Sequence, residues 1–112
     1  MERETRLWGY YQVLYADDYC KIKHLYVDAG KNISYQYHLH RAELWTVVSG
    51  CGRLVLEGQL YSLQAGDSVK IGAGQRHTIR NIGEGILVIH EIQTGKILSE
   101  EDIVREALPD CL

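Results

Sequence analysis

Polar and apolar residues alternate with a period of two along most of the chain, and small turn-forming residues interrupt the alternation about every eight to twelve positions. Residues 8–16 are aromatic and β-branched and end at Asp17-Asp18. Within 19–27, Cys20, Ile22, His24 and Tyr26 share one face and Lys21, Lys23 and Leu25 the other. Beyond the Asp28-Ala29-Gly30 turn, Ile33, Tyr35 and Tyr37 alternate with Ser34, Gln36 and His38. Residues 44–49 form a predominantly apolar strand closed by Gly50-Cys51-Gly52. Residues 53–57 and 60–63 flank Gly58-Gln59, the connection of a short hairpin. Further strands are predicted over 68–71, 77–81 and 86–93, separated by glycine-containing turns. Many short strands at this spacing define an all-β sandwich or barrel.

The C-terminal segment breaks the pattern. Ser99 before Glu100, Glu101 and Asp102 reads as a capping box, and Ile103, Val104, Ala107 and Leu108 supply an apolar stripe before Pro109. A short helix is expected over about 99–107. The whole chain, 1–112, is read as one domain with its core over about 8–95, and the first five and last four residues are expected to pack loosely.

Composition narrows the class of function. The chain has 112 residues, 46% apolar and 24% charged, as in an ordinary globular domain. No apolar run approaches the roughly 20 residues of a membrane-spanning helix, and the charged start, Met1-Glu2-Arg3-Glu4, is not a signal peptide. A net charge of −3 gives no attraction to nucleic acid or to an anionic membrane, so neither is expected as a partner. Cys20, Cys51 and Cys111 match no metal or redox spacing and read as free thiols in a reducing, cytoplasmic setting. The small core, together with eight tyrosines and no phenylalanine, points to a homodimer with an aromatic seam.

Four residues carry the candidate chemistry. His38 and His40 are two apart, so a strand would send both rings from one face. Glu43 follows where the chain enters the next strand, and His77 lies far downstream after a glycine-rich turn. Three neutral imidazoles and a carboxylate suit one divalent transition metal: Zn, Mn, Fe, Co or Ni. A His-X-His pair arises often by chance; the spacing around this one singles it out. Glu43 is followed by six residues and Gly50, and downstream the chain reads Gly66-X5-Gly72-Ala73-Gly74-X2-His77-X3-Asn81.

These two stretches resemble the paired signature motifs of the cupin superfamily. The second matches at every spacing, with Gly72 where proline is usual. The first has seven residues rather than five between Gly30 and His38, and two between His40 and Glu43. The resemblance implies a cupin double-stranded β-helix, a jelly-roll barrel in which His38, His40, Glu43 and His77 bind one metal.

A wider resemblance runs from about residue 6 to 105. Arg6-Leu7-Trp8-Gly9-Tyr10-Tyr11, Gln36-Tyr37-His38-Leu39-His40-Arg41-Ala42-Glu43-Leu44-Trp45, Ala73-Gly74-Gln75-Arg76-His77 and Glu101-Asp102-Ile103-Val104-Arg105 are similar to the C-terminal, isomerase domain of type II mannose-6-phosphate isomerases. Leu7 stands where that family has proline, and Leu39 and Leu44 where it has histidines. The Asp-X-Tyr-Gly-Arg segment that follows in the family is not found in this sequence. The resemblance implies a metal-dependent aldose–ketose isomerase of a sugar phosphate, with no guanylyltransferase activity expected. It makes Arg41 a clamp for an anionic substrate. Lys70, Arg76 and Arg80 flank the second motif as cations for a phosphate, and Tyr35 and Tyr37 suit a sugar-lining role. The alternative is a metal- and carbohydrate-binding cupin without catalysis, accessory to polysaccharide synthesis.

Overall fold

The structure, a computed structural model, describes residues 2–112. In chain order the strands are β1 (Glu4–Arg6), β2 (Gly9–Ala16), β3 (Cys20–Val27), β4 (Tyr35–Tyr37), β5 (Arg41–Ser49) and β6 (Cys51–Leu56). They continue with β7 (Gln59–Gln64), β8 (Ser68–Ile71), β9 (His77–Asn81), β10 (Leu87–Gly95) and β11 (Val104–Glu106). Two antiparallel sheets result, ordered β1-β2-β3-β10-β5-β8 and β11-β4-β9-β6-β7. Side chains from both meet in the core, where Val27, Leu87 and Ile89 of one sheet and Leu54 and Ile79 of the other are wholly excluded from solvent. No helix is long and apolar enough to cross a membrane among the described residues.

The period-two pattern sets which residues turn inward. On β5 the buried positions are Arg41, Glu43, Trp45 and Val47, and on β10 they are Leu87, Ile89, Glu91 and Gln93. Register aligns them in layers. Ile89 lies opposite Leu25 and Val47, whereas Glu91 lies opposite Lys23 and Trp45, and Gln93 opposite Glu43. The interior is thus apolar at one level and charged at the next two. That change of character, made on three neighbouring strands at the same height, positions the site.

Two local features differ from expectation. The β6–β7 hairpin turns at Glu57-Gly58, one residue earlier than its sequence suggested, with φ of 48° and 78° at those residues. Left-handed values at both positions are the type I′ turn that matches strand twist. The N-terminal residues are not all loose, since β1 pairs with β2 over Glu4–Arg6.

The expected helix over 99–107 does not form. Ser99 makes one turn, its Oγ accepting from Glu101 N and its carbonyl from Asp102 N, and the chain then extends into β11 against β4. Competition for the capping residues explains this. The Asp102 carboxylate accepts Leu39 N and His40 N, both at 2.9 Å, and Glu100 is drawn to Lys21 and Lys23. A helix shorter than about 12 residues is marginal by itself, so tertiary partners win.

At Gly9 the β2 backbone passes close against β3. Its φ is +146°, and a Cβ built on it would lie 1.9 Å from the Tyr26 carbonyl oxygen. Gly58 has positive φ but open space around it. We predict that Gly9→Ala destabilises by at least about 2 kcal/mol and Gly58→Ala by about 1 kcal/mol. Equilibrium urea denaturation checks the order; equal losses would show that the β2–β3 approach is not tight.

Candidate metal centre and adjoining pocket

β4 ends at Tyr37, and the chain bends through 38–40 before β5 begins. The bend is pinned from two sides. The His38 carbonyl accepts Gly74 N at 2.7 Å, and the Asp102 carboxylate holds the next two backbone N–H groups. His38 is buried as a result, while His40 is exposed and outside the cluster. The expectation that both rings leave one face needed a continuous strand, and the strand stops one residue short of His38.

His38, Glu43 and His77 do converge. One nitrogen or oxygen from each lies within 4.8 Å of the others, and all three residues are buried. Glu43 reaches inward from the third position of β5 and His77 from the first position of β9. His38 Nε2 is 3.5 Å from Glu43 Oε2, and His77 Nε2 is 3.3 Å from Glu43 Oε1. Trp45 sets its edge against His77, with ring centroids 5.4 Å apart.

Backbone carbonyls assign the imidazole tautomers. His38 Nδ1 donates to Asp102 O at 2.7 Å, and His77 Nδ1 donates to Gln75 O at 2.9 Å. Each ring therefore presents the Nε2 lone pair to the centre. Burial, aided by Arg41, lowers the His38 pKa and keeps that ring neutral. Burial opposes ionisation of Glu43, but the Arg41 guanidinium 3.0 Å from Oε2 favours the carboxylate and helps to hold the carboxyl below its ordinary value. Two neutral imidazoles and a carboxylate are a donor set for a divalent transition metal. Glu43 Oε1 and His77 Nε2 make no hydrogen bond although both are buried. Such atoms are normally satisfied, and a cation between them would satisfy both.

Arg41 belongs to the same cluster. It is buried, donates to Glu43 Oε2 from Nε and to the Ser99 carbonyl from Nη1, and brings Nη2 to 3.3 Å from His38 Nε2. Its charge faces Glu43 rather than solvent.

A pocket of about 370 Å³ opens beside this centre, lined on the near side by Gln36, Arg41 and Trp45. Its deeper wall includes Lys23 and Glu91 from the charged layer. Trp45 Nε1 and Gln93 Nε2 both donate to the Glu91 carboxylate. Burial, reinforced by the charge of Glu43 and opposed by Lys23, pushes that carboxyl up to about 7. Lys23 Nζ lies 2.6 Å from Glu100 and 4.1 Å over the Tyr11 ring.

The remaining residues singled out in the sequence lie elsewhere. Lys70 is exposed on β8 and borders a second depression that Glu43 also lines, Arg76 pairs with Glu106 at the surface, and Tyr35 is half-buried on β4 against β11. None of the three lines the 370 Å³ pocket. The residues the sequence reading passed over are Arg6, Lys23, Glu91, Glu100 and Arg105. A signal for two of them was present. Lys23 continues the face of Leu25 and Val27, and Glu91 that of Leu87 and Ile89, so each is a charge placed in an inward, apolar phase.

Fold and centre together define a cupin-type double-stranded β-helix domain. Its likeness to an uncharacterised conserved protein with a double-stranded β-helix domain from Klebsiella pneumoniae, at a TM-score of 0.76 and 21% identity over 86% of this chain and 82% of that one, bears on the fold alone. The family model described as mannose-6-phosphate isomerase C-terminal matches residues 2–107, and the chain belongs to that family. It is 37% identical over 94% of its length to the mannose-1-phosphate guanylyltransferase ManC of Salmonella typhimurium, of which it covers 22%. It is also 37% identical over 89% of its length to the alginate biosynthesis protein AlgA of Pseudomonas putida, of which it covers 21%. The chain thus spans about a fifth of the length of these curated relatives.

The Glu91 environment gives a signed pH dependence. Its folded value, about 7, exceeds the ordinary 4.5, so the folded state holds the extra proton between them and stability falls as pH rises through that window. The full effect is about 3 kcal/mol above pH 7. We predict that Glu91→Gln is close to neutral at pH 4.5 and more stable than the parent by about 2–3 kcal/mol at pH 8. Gln93, whose Oε1 lacks a partner, can turn to accept from the new amide. Denaturation midpoints at the two pH values test this; a gap that does not widen with pH would remove Glu91 as a group titrating near neutrality.

Proposed function

We propose that the protein is a metal-dependent aldose–ketose isomerase acting on a sugar phosphate of the mannose 6-phosphate type. The observation that carries this reading is the pair of buried, unsatisfied atoms, Glu43 Oε1 and His77 Nε2, facing each other beside a ligand-sized pocket. The family supports the substrate class, as do the relatives' names, one for mannose 1-phosphate and one for alginate synthesis.

His38, Glu43 and His77 are the proposed metal ligands, with His40 left outside the set because it is exposed. When bound, a divalent ion polarises the O1 and O2 oxygens of the sugar and stabilises negative charge developing there. Arg41 neutralises Glu43 and keeps positive charge at the same point. Isomerisation moves the C2 proton to C1 and the O2 proton to O1. Glu91 is the carboxyl suited to carry the carbon-bound proton, because it lines the pocket and changes protonation close to neutrality. Gln36, whose Nε2 is 3.4 Å from His38 Nε2 and whose Oε1 accepts from Ser34, offers an amide to a sugar hydroxyl.

One observation favours a second reading, a carbohydrate-binding cupin that does not turn over its ligand. Arg41 already occupies the Glu43 Oε2 and His38 Nε2 side of the cluster, as a cation would. Homodimerisation is part of either proposal, supported by Leu44 and Val48, 41% and 50% exposed on the outer face of β5.

We predict that the protein takes up about one equivalent of Zn, Mn, Fe, Co or Ni, that His77→Ala loses it, and that His40→Ala keeps it. The loaded protein is expected to convert mannose 6-phosphate to fructose 6-phosphate, with activity falling at least about 100-fold in the His77 variant. Elemental analysis and a coupled assay read the two outcomes. Uptake without turnover under any of the five metals would leave the binding reading. Light scattering is expected to give the mass of two chains; the mass of one would reject the dimer.

A further inference from the structure

Four cations and two carboxylates line the 370 Å³ pocket, and their pairing is uneven. Lys23 is matched by Glu100 at 2.6 Å and Arg41 by Glu43 at 3.0 Å. The other two cations come from opposite ends of the chain. Arg6, at the end of β1, donates to the Thr5 carbonyl and the Tyr11 hydroxyl and lies 5.1 Å from the Tyr11 ring centre, all neutral groups. Arg105, in the middle of β11, is exposed and makes no ion pair among the described residues. The pocket carboxylates are not free to serve either arginine. Glu100 is held by Lys21 and Lys23, and Glu91 by Trp45 and Gln93. Arg105 lies directly opposite Gln36 in the β11–β4 register. Cross-strand partners share a face, so its side chain leaves the sheet on the side from which Gln36 reaches His38.

Two unmatched guanidinium groups at one pocket suit a dianion. Phosphate carries close to two charges near neutral pH and accepts the paired donors of a guanidinium fork, whereas a carboxylate brings one charge. We infer that Arg6 and Arg105 form an anion-reading rim that takes the phosphate of a hexose phosphate, leaving the C1–C2 end toward His38, Glu43 and His77. This rests on the reading of the pocket as a sugar-phosphate site, and it assigns the phosphate to residues other than Lys70 and Arg76.

The test is calorimetric titration of the zinc-loaded protein with mannose 6-phosphate, mannose, mannuronate and inorganic phosphate. Arg6→Gln, Arg105→Gln and the double variant are measured beside the parent, with thermal unfolding as the control for folding. Mannose 6-phosphate is expected to bind at least about tenfold tighter than mannose or mannuronate. Each single substitution should weaken it about five- to tenfold, and the double variant should lose most of the preference with mannose affinity unchanged. Arg105→Lys should retain part of it, since a point charge replaces the fork. Equal binding of mannose and mannose 6-phosphate by the parent, or a preference that survives in the double variant, overturns the rim. Mannuronate binding as tightly as mannose 6-phosphate overturns the choice of phosphate. Binding is read without turnover, so the two proposals fail separately. A protein that prefers the phosphate but does not isomerise loses the isomerase reading and keeps the rim. Isomerisation indifferent to both substitutions does the reverse.

Discussion

Charge buried at one end of an otherwise apolar barrel must find a partner, and that requirement organises the rest of the structure. Arg41, Glu43, Lys23 and Glu91 are each at most 6% exposed. An isolated buried charge costs several kcal/mol, so none of them is tolerable alone. Arg41 answers Glu43 across a single inward step of β5. Lys23 is answered by Glu100, which lies far along the chain and outside both sheets. Glu91 is the residue left without a full counter-charge, and its carboxyl rises toward neutrality in consequence. The barrel is therefore stabilised at its apolar level and strained at its polar level, the arrangement expected where binding and chemistry take precedence over packing.

Much of this was legible in the sequence because strands write their faces in alternate letters. Nine of the strands follow from that period and from the glycine-rich turns between them, and the spacing from Gly66 to Asn81 put His77 at the start of an inward strand. Asn81, the last position of that motif, is buried and donates to the Val27 and Gly85 carbonyls. Periodicity loses its authority where a strand ends. His38 lies one residue past β4, so the parity that would pair it with His40 no longer holds, and a bend pinned by Gly74 and Asp102 decides the outcome. The inward charges were legible in principle, as single polar letters in an apolar phase. The sequence cannot say which of two faces is inward until the strands are assembled.

The segment after β10 was misread for a related reason. A capping box reports what four residues do with one another when nothing else competes. Here three of the four have distant partners: Ser99 O takes Arg41, Glu100 takes Lys23, and Asp102 takes the backbone of Leu39 and His40. Local propensity amounts to a few tenths of a kcal/mol per residue, and a net hydrogen bond to about 0.5–1.5 kcal/mol. The extended path wins by recruiting several such tertiary partners at once.

That path gives the C-terminal segment a role beyond closing a sheet edge. The Asp102 carbonyl fixes the His38 tautomer, its carboxylate fixes the bend that turns His38 inward, and Glu100 supplies the charge that lets Lys23 stay buried. Ile103 and Arg105 of the same segment line the pocket. Orientation of one donor, electrostatic balance of the wall and shape of the opening thus depend on the docking of about eight residues. A segment held mainly by hydrogen bonds and ion pairs, with more than half its residues exposed, belongs to the part of a structure that opens at lower free energy than the core. The three donors thus have different supports: β5 and β9 place Glu43 and His77 from within the sheets, whereas His38 takes its orientation from the C-terminal segment and from Gly74.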